Sequence, residues 1–215
     1  ALIADGQQED TTAKVKVTAN TTVNVTFKPI VYTPVSYDNL SDHLTGTQPE
    51  TNGIYYIEVT GLTAPEVEGD LYGASPLGRI LEENETKKVA LKFGTMPYVT
   101  DMSNCFNGCT SLVQVSNIPD SITNMWKCFN GCTKLEQVPN IPNSVTNMYS
   151  CFEDCTSLTS VTLKCGYIDG KFNYAFDGCR GLSAGSIKVP ADSLDDYKDN
   201  AGKMKAKAEW FAKDE

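Results

Sequence analysis

The sequence predicts an α/β repeat solenoid of short strands and short helical turns, preceded by a small β segment and capped by helices. Three observations predict it. Cys105, Cys128 and Cys151 lie 23 residues apart, and Cys109, Cys132 and Cys155 keep the same step. Met102, Met125 and Met148 repeat in that register, as do Phe106, Phe129 and Phe152, and then Leu112, Leu135 and Leu158. A fourth copy, "FNYAFDGCRGL", follows after 24 residues and puts Phe172, Ala175, Phe176, Cys179 and Leu182 in the corresponding slots. Self-similarity at a fixed period of roughly 20–50 residues marks units that bury their apolar faces only against their neighbours.

The elements follow in chain order. Within residues 1–33, "KVKVTANTTVNVTF" (14–27) alternates apolar and polar residues around a polar turn, as a half-exposed β hairpin does. It reads either as a remnant of, or link to, an upstream β domain or as a β arm on the first unit. Residues 34–98 read as an N-terminal capping helix followed by degenerate leading repeats. "SYDNLSDHLTG" (36–46) starts at a capping residue, spaces Leu40 and Leu44 four apart and stops at Gly46. The chain's single histidine, His43, belongs there as a solvated helix residue. "GIYYIEVTGL" and "KKVALKF" read as strands with "SPLGRILEEN" as a helix between them, and Ser75 before Pro76 is good helix-start chemistry.

Residues 99–189 hold the strict repeats, M-x-x-C-F-x-x-C-x-x-L-x-x-V. Cys, Phe, Cys and Leu at i, i+1, i+4 and i+7 fit one side of a short helix or a pair of helical turns. Leu135-x-x-Val138-x-x-Ile141-Pro142 reads as an extended segment ended by a proline-led turn. The third copy replaces that turn with "VTLKCGYIDG" and gains one residue, so its turn should be locally irregular. Residues 190–215 form the C-terminal cap, expected as one or two amphipathic helices with Leu194, Tyr197, Trp210 and Phe211 facing the last coil.

The segments "MSNCFNGCTSLVQV", "MWKCFNGCTKLEQV", "MYSCFEDCTSLTSV" and "FNYAFDGCRGL" resemble the BspA-like type of leucine-rich repeat of bacterial cell-surface proteins. "SIKVPADSLDDYKDNAG" is similar to that family's usual exit from the array. The resemblance implies a leucine-rich-repeat array, display at a cell surface or in the extracellular space, and adhesion to host or bacterial surface proteins. A host extracellular-matrix protein is one partner that it implies.

The eight cysteines admit four readings: zinc ligands, disulfides, redox thiols or core. Zinc lacks a histidine near any cysteine pair, and a four-thiolate site needs two pairs to converge. Disulfides face parallel side-chain directions within a unit and between stacked units. A redox thiol needs neighbouring positive charge, but Lys127 beside Cys128 is replaced by Asn104 and Ser150 in the other copies. Ala175 stands where Cys105, Cys128 and Cys151 stand, so the slot selects small apolar size. The expected role is core, with no metal and no cofactor.

A formal net charge of −9 argues against nucleic acid, whose recognition runs on clustered Lys and Arg. No apolar run reaches the length of a membrane span, so this segment is not expected to insert into a bilayer. The opening "ALIADGQQED" reads as a trimmed chain end, so targeting signals do not give a location. One histidine, no phosphate-binding glycine loop and no nucleophile motif leave nothing that pairs catalytic roles with spacing. The expected activity is non-catalytic binding of a protein partner through the solenoid surface; the alternative is a structural spacer or stalk. Candidate ligand-binding residues are Trp126, Tyr149 and Tyr174. The slot after the repeat methionine holds Ser103, Trp126, Tyr149 and Asn173, with Tyr174 one further on, and belongs to no core pattern.

Overall fold

The structure, a computed structural model, describes residues 30–50, 52–70, 73–96 and 98–214. The hairpin expected over 14–27 lies outside them. Among the described residues eight strands form one parallel sheet whose spatial order is the chain order. They are β1 (Thr33–Ser36), β2 (Tyr55–Thr60), β3 (Val89–Phe93), β4 (Leu112–Ser116), β5 (Gln137–Ile141), β6 (Ser160–Leu163), β7 (Ile187–Val189) and β8 (Phe211–Lys213). Strand neighbours that follow one another in sequence and run parallel require each intervening segment to cross back over one face. The described residues are this crossover, repeated.

A helix, α1 (Leu40–Gly46), buries Leu40 and Leu44. After a short helix, α2 (Ala64–Val67), the helix α3 (Pro76–Glu82) starts at Ser75, whose hydroxyl accepts the Gly78 N–H at 3.1 Å. That helix buries Leu77 and Leu81 in the main apolar core. Its Gly78 leaves no room for a side chain, since an added Cβ would lie 2.2 Å from the Cys105 carbonyl oxygen.

In the strict repeats the crossover is not helical, which corrects the expected helical turns. The C-F-x-x-C segments are runs of tight turns whose amides alternate between two kinds of partner. Met102, Asn104, Phe106 and Gly108 donate to the carbonyls of Asn124, Trp126, Cys128 and Asn130 in the next unit, at 2.7–2.9 Å. Cys105, Asn107 and Cys109 donate within the unit, to Met102, Asn104 and Phe106. The next two units repeat the scheme, so the turns carry a second hydrogen-bonded ladder parallel to the sheet. A continuous helix would satisfy all its amides internally and leave none for neighbours. The scheme needs left-handed backbone at two slots per unit. Asn104, Lys127, Ser150 and Tyr174 fill one, and Gly108, Gly131, Asp154 and Gly178 the other.

Between sheet and turns the repeat residues stack in columns. Phe106, Phe129, Phe152 and Phe176 form a spine of parallel rings at 5.4–5.7 Å, with interplanar angles of 7–10°. Phe93 meets one end tilted, and Phe211 closes the other edge-on at 6.2 Å. Met102, Met125 and Met148 and the leucine column are fully buried beside it. A smaller apolar cluster of Tyr32, Tyr56, Ala90 and Val113 lies apart from this core, on the sheet's other side.

Of the one or two helices expected in the C-terminal segment, one forms. A helix, α4 (Leu194–Asp199), buries Tyr197, but "KMKAKAEWFAKDE" forms turns, a single 3₁₀ turn at Ala208–Trp210 and then β8. Its lysines and alanines favour helix. Pairing β8 with β7 and laying Phe211 over Phe176 and Tyr197 outweighs that preference, since it covers the open end of the ring spine.

Candidate functional site

The site region begins with the asparagines before the repeat methionine. Asp101, Asn124 and Asn147 occupy one slot of three successive units and form a side-chain ladder. Asn147 Nδ2 donates to Asn124 Oδ1, and Asn124 Nδ2 to Asp101 Oδ2, both at 2.9 Å. The Oδ1 atoms of Asp101, Asn124 and Asn147 accept the amide two residues on: Ser103, Trp126 and Tyr149 respectively. The ladder therefore fixes the backbone from which Trp126 and Tyr149 project.

At the fourth unit the ladder stops. Lys171 takes the slot, as its carbonyl shows by accepting the Met148 amide just as Asn147 accepts that of Met125. Gly170 precedes it, with nothing within 4 Å of where a Cβ would stand. A shallow cleft of about 180 Å³ opens here, lined by Trp126, Asn147, Tyr149, Gly170 and Lys171. It sits where the third copy gains its extra residue, so the irregular turn expected from "VTLKCGYIDG" forms one wall.

Trp126 and Tyr149 are half-buried rather than fully exposed, and neither packs against the main apolar core. Tyr174 is 40% exposed, and its ring lies 5.6 Å from that of Tyr149. A left-handed backbone (φ 60°) is uncommon for a bulky residue and is imposed here by the repeat slot. The structure thus brings Tyr149 to both Tyr174 and the Trp126 cleft. Sequence reasoning missed Asn147, Gly170 and Lys171. The break in 23-residue spacing was their signal, since an insertion in a regular array leaves a gap that neighbouring units cannot fill.

Lysines flank the strip. Lys127 Nζ lies 5.1 Å from the Trp126 ring centroid, and Lys205 Nζ 5.4 Å from that of Tyr174. Lys203 pairs with Asp169 at 2.7 Å, and Asp169 also accepts the Tyr167 hydroxyl. Those two bonds hold the Asp169 carboxyl below its usual range, and desolvation together with the nearby carboxylate raises the Tyr167 phenol to about 12.

The eight cysteines are all buried and unpaired. Burial pushes every thiol up, to about 12 for Cys105 and Cys179 and well above the ordinary value for Cys128, Cys132 and Cys155. The second cysteine of each unit is more than a small apolar filler. Cys132, Cys155 and Cys179 donate their S–H groups at 3.0 Å to the carbonyls of Phe106, Phe129 and Phe152, and Cys109 donates to Gly78 at 3.2 Å. Among the described residues, no group of three or more His, Cys, Asp or Glu side chains is placed to hold a metal ion. Nor is any helix among them long and apolar enough to cross a membrane. His43 lies on α1, and its carbonyl accepts the Thr47 amide and hydroxyl.

Comparison with known proteins agrees with the repeat geometry. No curated protein and no solved structure matches the chain. The family model described as "BspA type Leucine rich repeat region" matches residues 99–201 in six copies, covering the four strict repeats and running on through α4. Those residues are thus similar to the BspA-type leucine-rich repeat.

Proposed function

We propose that this chain is a non-catalytic binding module of a bacterial cell-surface protein, holding a protein partner on the turn side of a leucine-rich-repeat solenoid. One observation carries the reading. Trp126 and Tyr149 project side by side from a hydrogen-bonded ladder, outside the repeat's own core, and share a cleft at the array's one insertion. Amphipathic rings on a rigid base bind with little entropy loss, and interaction surfaces are enriched in them. Repeat family and site chemistry point the same way, since stacked units offer an extended surface for a partner. Surface display and adhesion, including to a host matrix protein, follow from the family resemblance and belong to this proposal.

The test is a double variant, Trp126→Ala with Tyr149→Ala, compared with the parent against a partner isolated by pull-down of matrix and serum proteins. Neither ring packs on the main core, so the variant should keep its fold and melting transition. Truncating an anchor at a binding surface typically weakens binding by about thirtyfold or more. Unchanged affinity would remove the cleft from the reading, and a pull-down that yields no partner would favour a spacer.

A further inference from the structure

We infer that the cleft and its flanking strip receive an acidic, extended segment of a protein partner, an inference that rests on the binding reading above. The argument is one of charge and length. The chain carries a formal net charge of −9, yet the strip is cationic. Lys127, Lys171 and Lys205 border Trp126, the cleft and Tyr174 in turn, and none has an ion pair among the described residues. The carboxylate beside them, Asp169, is already held by Lys203 and Tyr167. Two of the free ammonium groups lie against an aromatic ring, and since an ammonium carries three donors each keeps N–H groups for an incoming carboxylate.

The strip has the dimensions of a short peptide. From the Trp126 unit to the Lys203–Lys205 turn there are three inter-unit steps, each marked by a backbone bond: Lys127 to Tyr149, Ser150 to Asn173, Tyr174 to Lys203. At about 4.8 Å per step this is roughly 14 Å. An extended chain covers it with about four to five residues. Three unpaired cations spread over that length match several carboxylates on one chain better than a single small anion.

The cleft also offers a hydrogen-bond acceptor. Asn124 Oδ1 accepts two bonds, from the Trp126 amide and Asn147 Nδ2. Asn147 Oδ1, last in the ladder, accepts only the Tyr149 amide, because Lys171 stands where the next asparagine would donate. A carboxamide oxygen accepts two. Its open lone pair at the cleft suits the backbone N–H of a bound segment. The strip's own backbone is committed to the inter-unit ladder, so the partner is held by side chains and this oxygen rather than by strand addition.

The experiment is selection of a random dodecapeptide display library on the immobilised full chain, with parallel panning on two variants. One is Trp126→Ala with Tyr149→Ala, and the other Lys127→Gln with Lys171→Gln and Lys205→Gln. The expected result is enrichment of peptides carrying two or more Asp or Glu within about five residues. Their affinity should fall on the order of tenfold on the lysine variant, since exposed ion pairs each contribute modestly. It should also weaken as salt rises from about 50 to 300 mM. Peptides that lose affinity on the aromatic variant but are neutral or basic, or insensitive to the lysine changes, would overturn the acidic assignment and leave the binding site standing. Peptides that bind the aromatic variant as well as the parent would overturn both. Absence of any enrichment over the aromatic variant would also overturn both, and an acidic glycan bound at these residues in its place would move the partner to another chemical class.

Discussion

At the residue scale the two cysteine columns look alike in sequence and differ in structure. Cys105, Cys128 and Cys151 share their column with Ala175, so the slot accepts a small side chain without a thiol, although the Cys105 sulfur also meets the Ser75 hydroxyl. The other column is cysteine in all four units because each thiol there donates to a carbonyl of the preceding unit. That the cysteines are core was legible from the single alanine. The S–H donors were not, because the acceptor is a backbone oxygen 26 or more residues away. Cys128→Ala should therefore be tolerated better than Cys132→Ala when the two are compared in urea, and equal midpoints would deny the thiol bond any weight. Burial also couples the thiols to pH. Their folded pKa values lie above the unfolded value of about 8.5, so the unfolded chain releases protons first. The stability they add is whole below that value and is lost as pH rises toward about 12, the level of Cys105 and Cys179. Urea midpoints measured under reductant should fall between pH 8 and pH 10, and should fall less in Cys128→Ala.

At the scale of the element, the unit is a strand and a turn run joined by columns. The periodicity exposed the strands and the columns, because register across four copies is insensitive to what each segment's backbone does. It did not expose the turn run. Cys, Phe and Cys at i, i+1 and i+4 suit a helix equally well, and the choice between them lies in the inter-unit amides. The candidate site was legible in part for the same reason: Trp126, Tyr149 and Tyr174 stand out against the repeat, whereas Asn147 resembles any polar turn residue until its neighbours are stacked. Two substitutions test the columns. Phe129→Ala removes a ring stacked on both faces and should cost about 3–5 kcal/mol. A thermal midpoint within a degree or so of the parent would show that the spine is not what holds the units together. Asn124→Ala removes the middle rung, leaving the Trp126 amide and Asn147 Nδ2 without their acceptor. The ladder is half-buried, so the loss should lie near the low end of the roughly 1–3 kcal/mol range for an unsatisfied polar group. Denaturant unfolding gives the value, and no change would mean that water replaces the rung at no cost.

At the scale of the whole molecule, contacts run between neighbouring units, and the main apolar core is a continuous row along them. Stability is then close to a sum of unit and interface terms, and an uncovered end is the weak point. At one end the aromatic group of Tyr167, Phe172, Tyr197 and Phe211 covers the last strict repeat. Tyr197 donates to the Cys165 carbonyl at 3.0 Å, and Lys164 pairs with Asp214 across the same end. Phe211 is the ring that both closes the phenylalanine spine and stacks on Tyr197, so one residue ties β8 to two columns. Phe211→Ala should remove the transfer energy of a buried ring and leave Phe176 facing a cavity, a loss of about 3–5 kcal/mol. Because units support one another in series, the loss should appear first as raised hydrogen exchange in residues 160–213, ahead of global unfolding. Exchange in β3 and β4 should stay close to the parent's, since Phe106 keeps both its ring neighbours. Equal acceleration along all eight strands would show one indivisible cooperative unit in place of a row of neighbours, and unaltered exchange near β8 would show that Phe211 is not the closing residue.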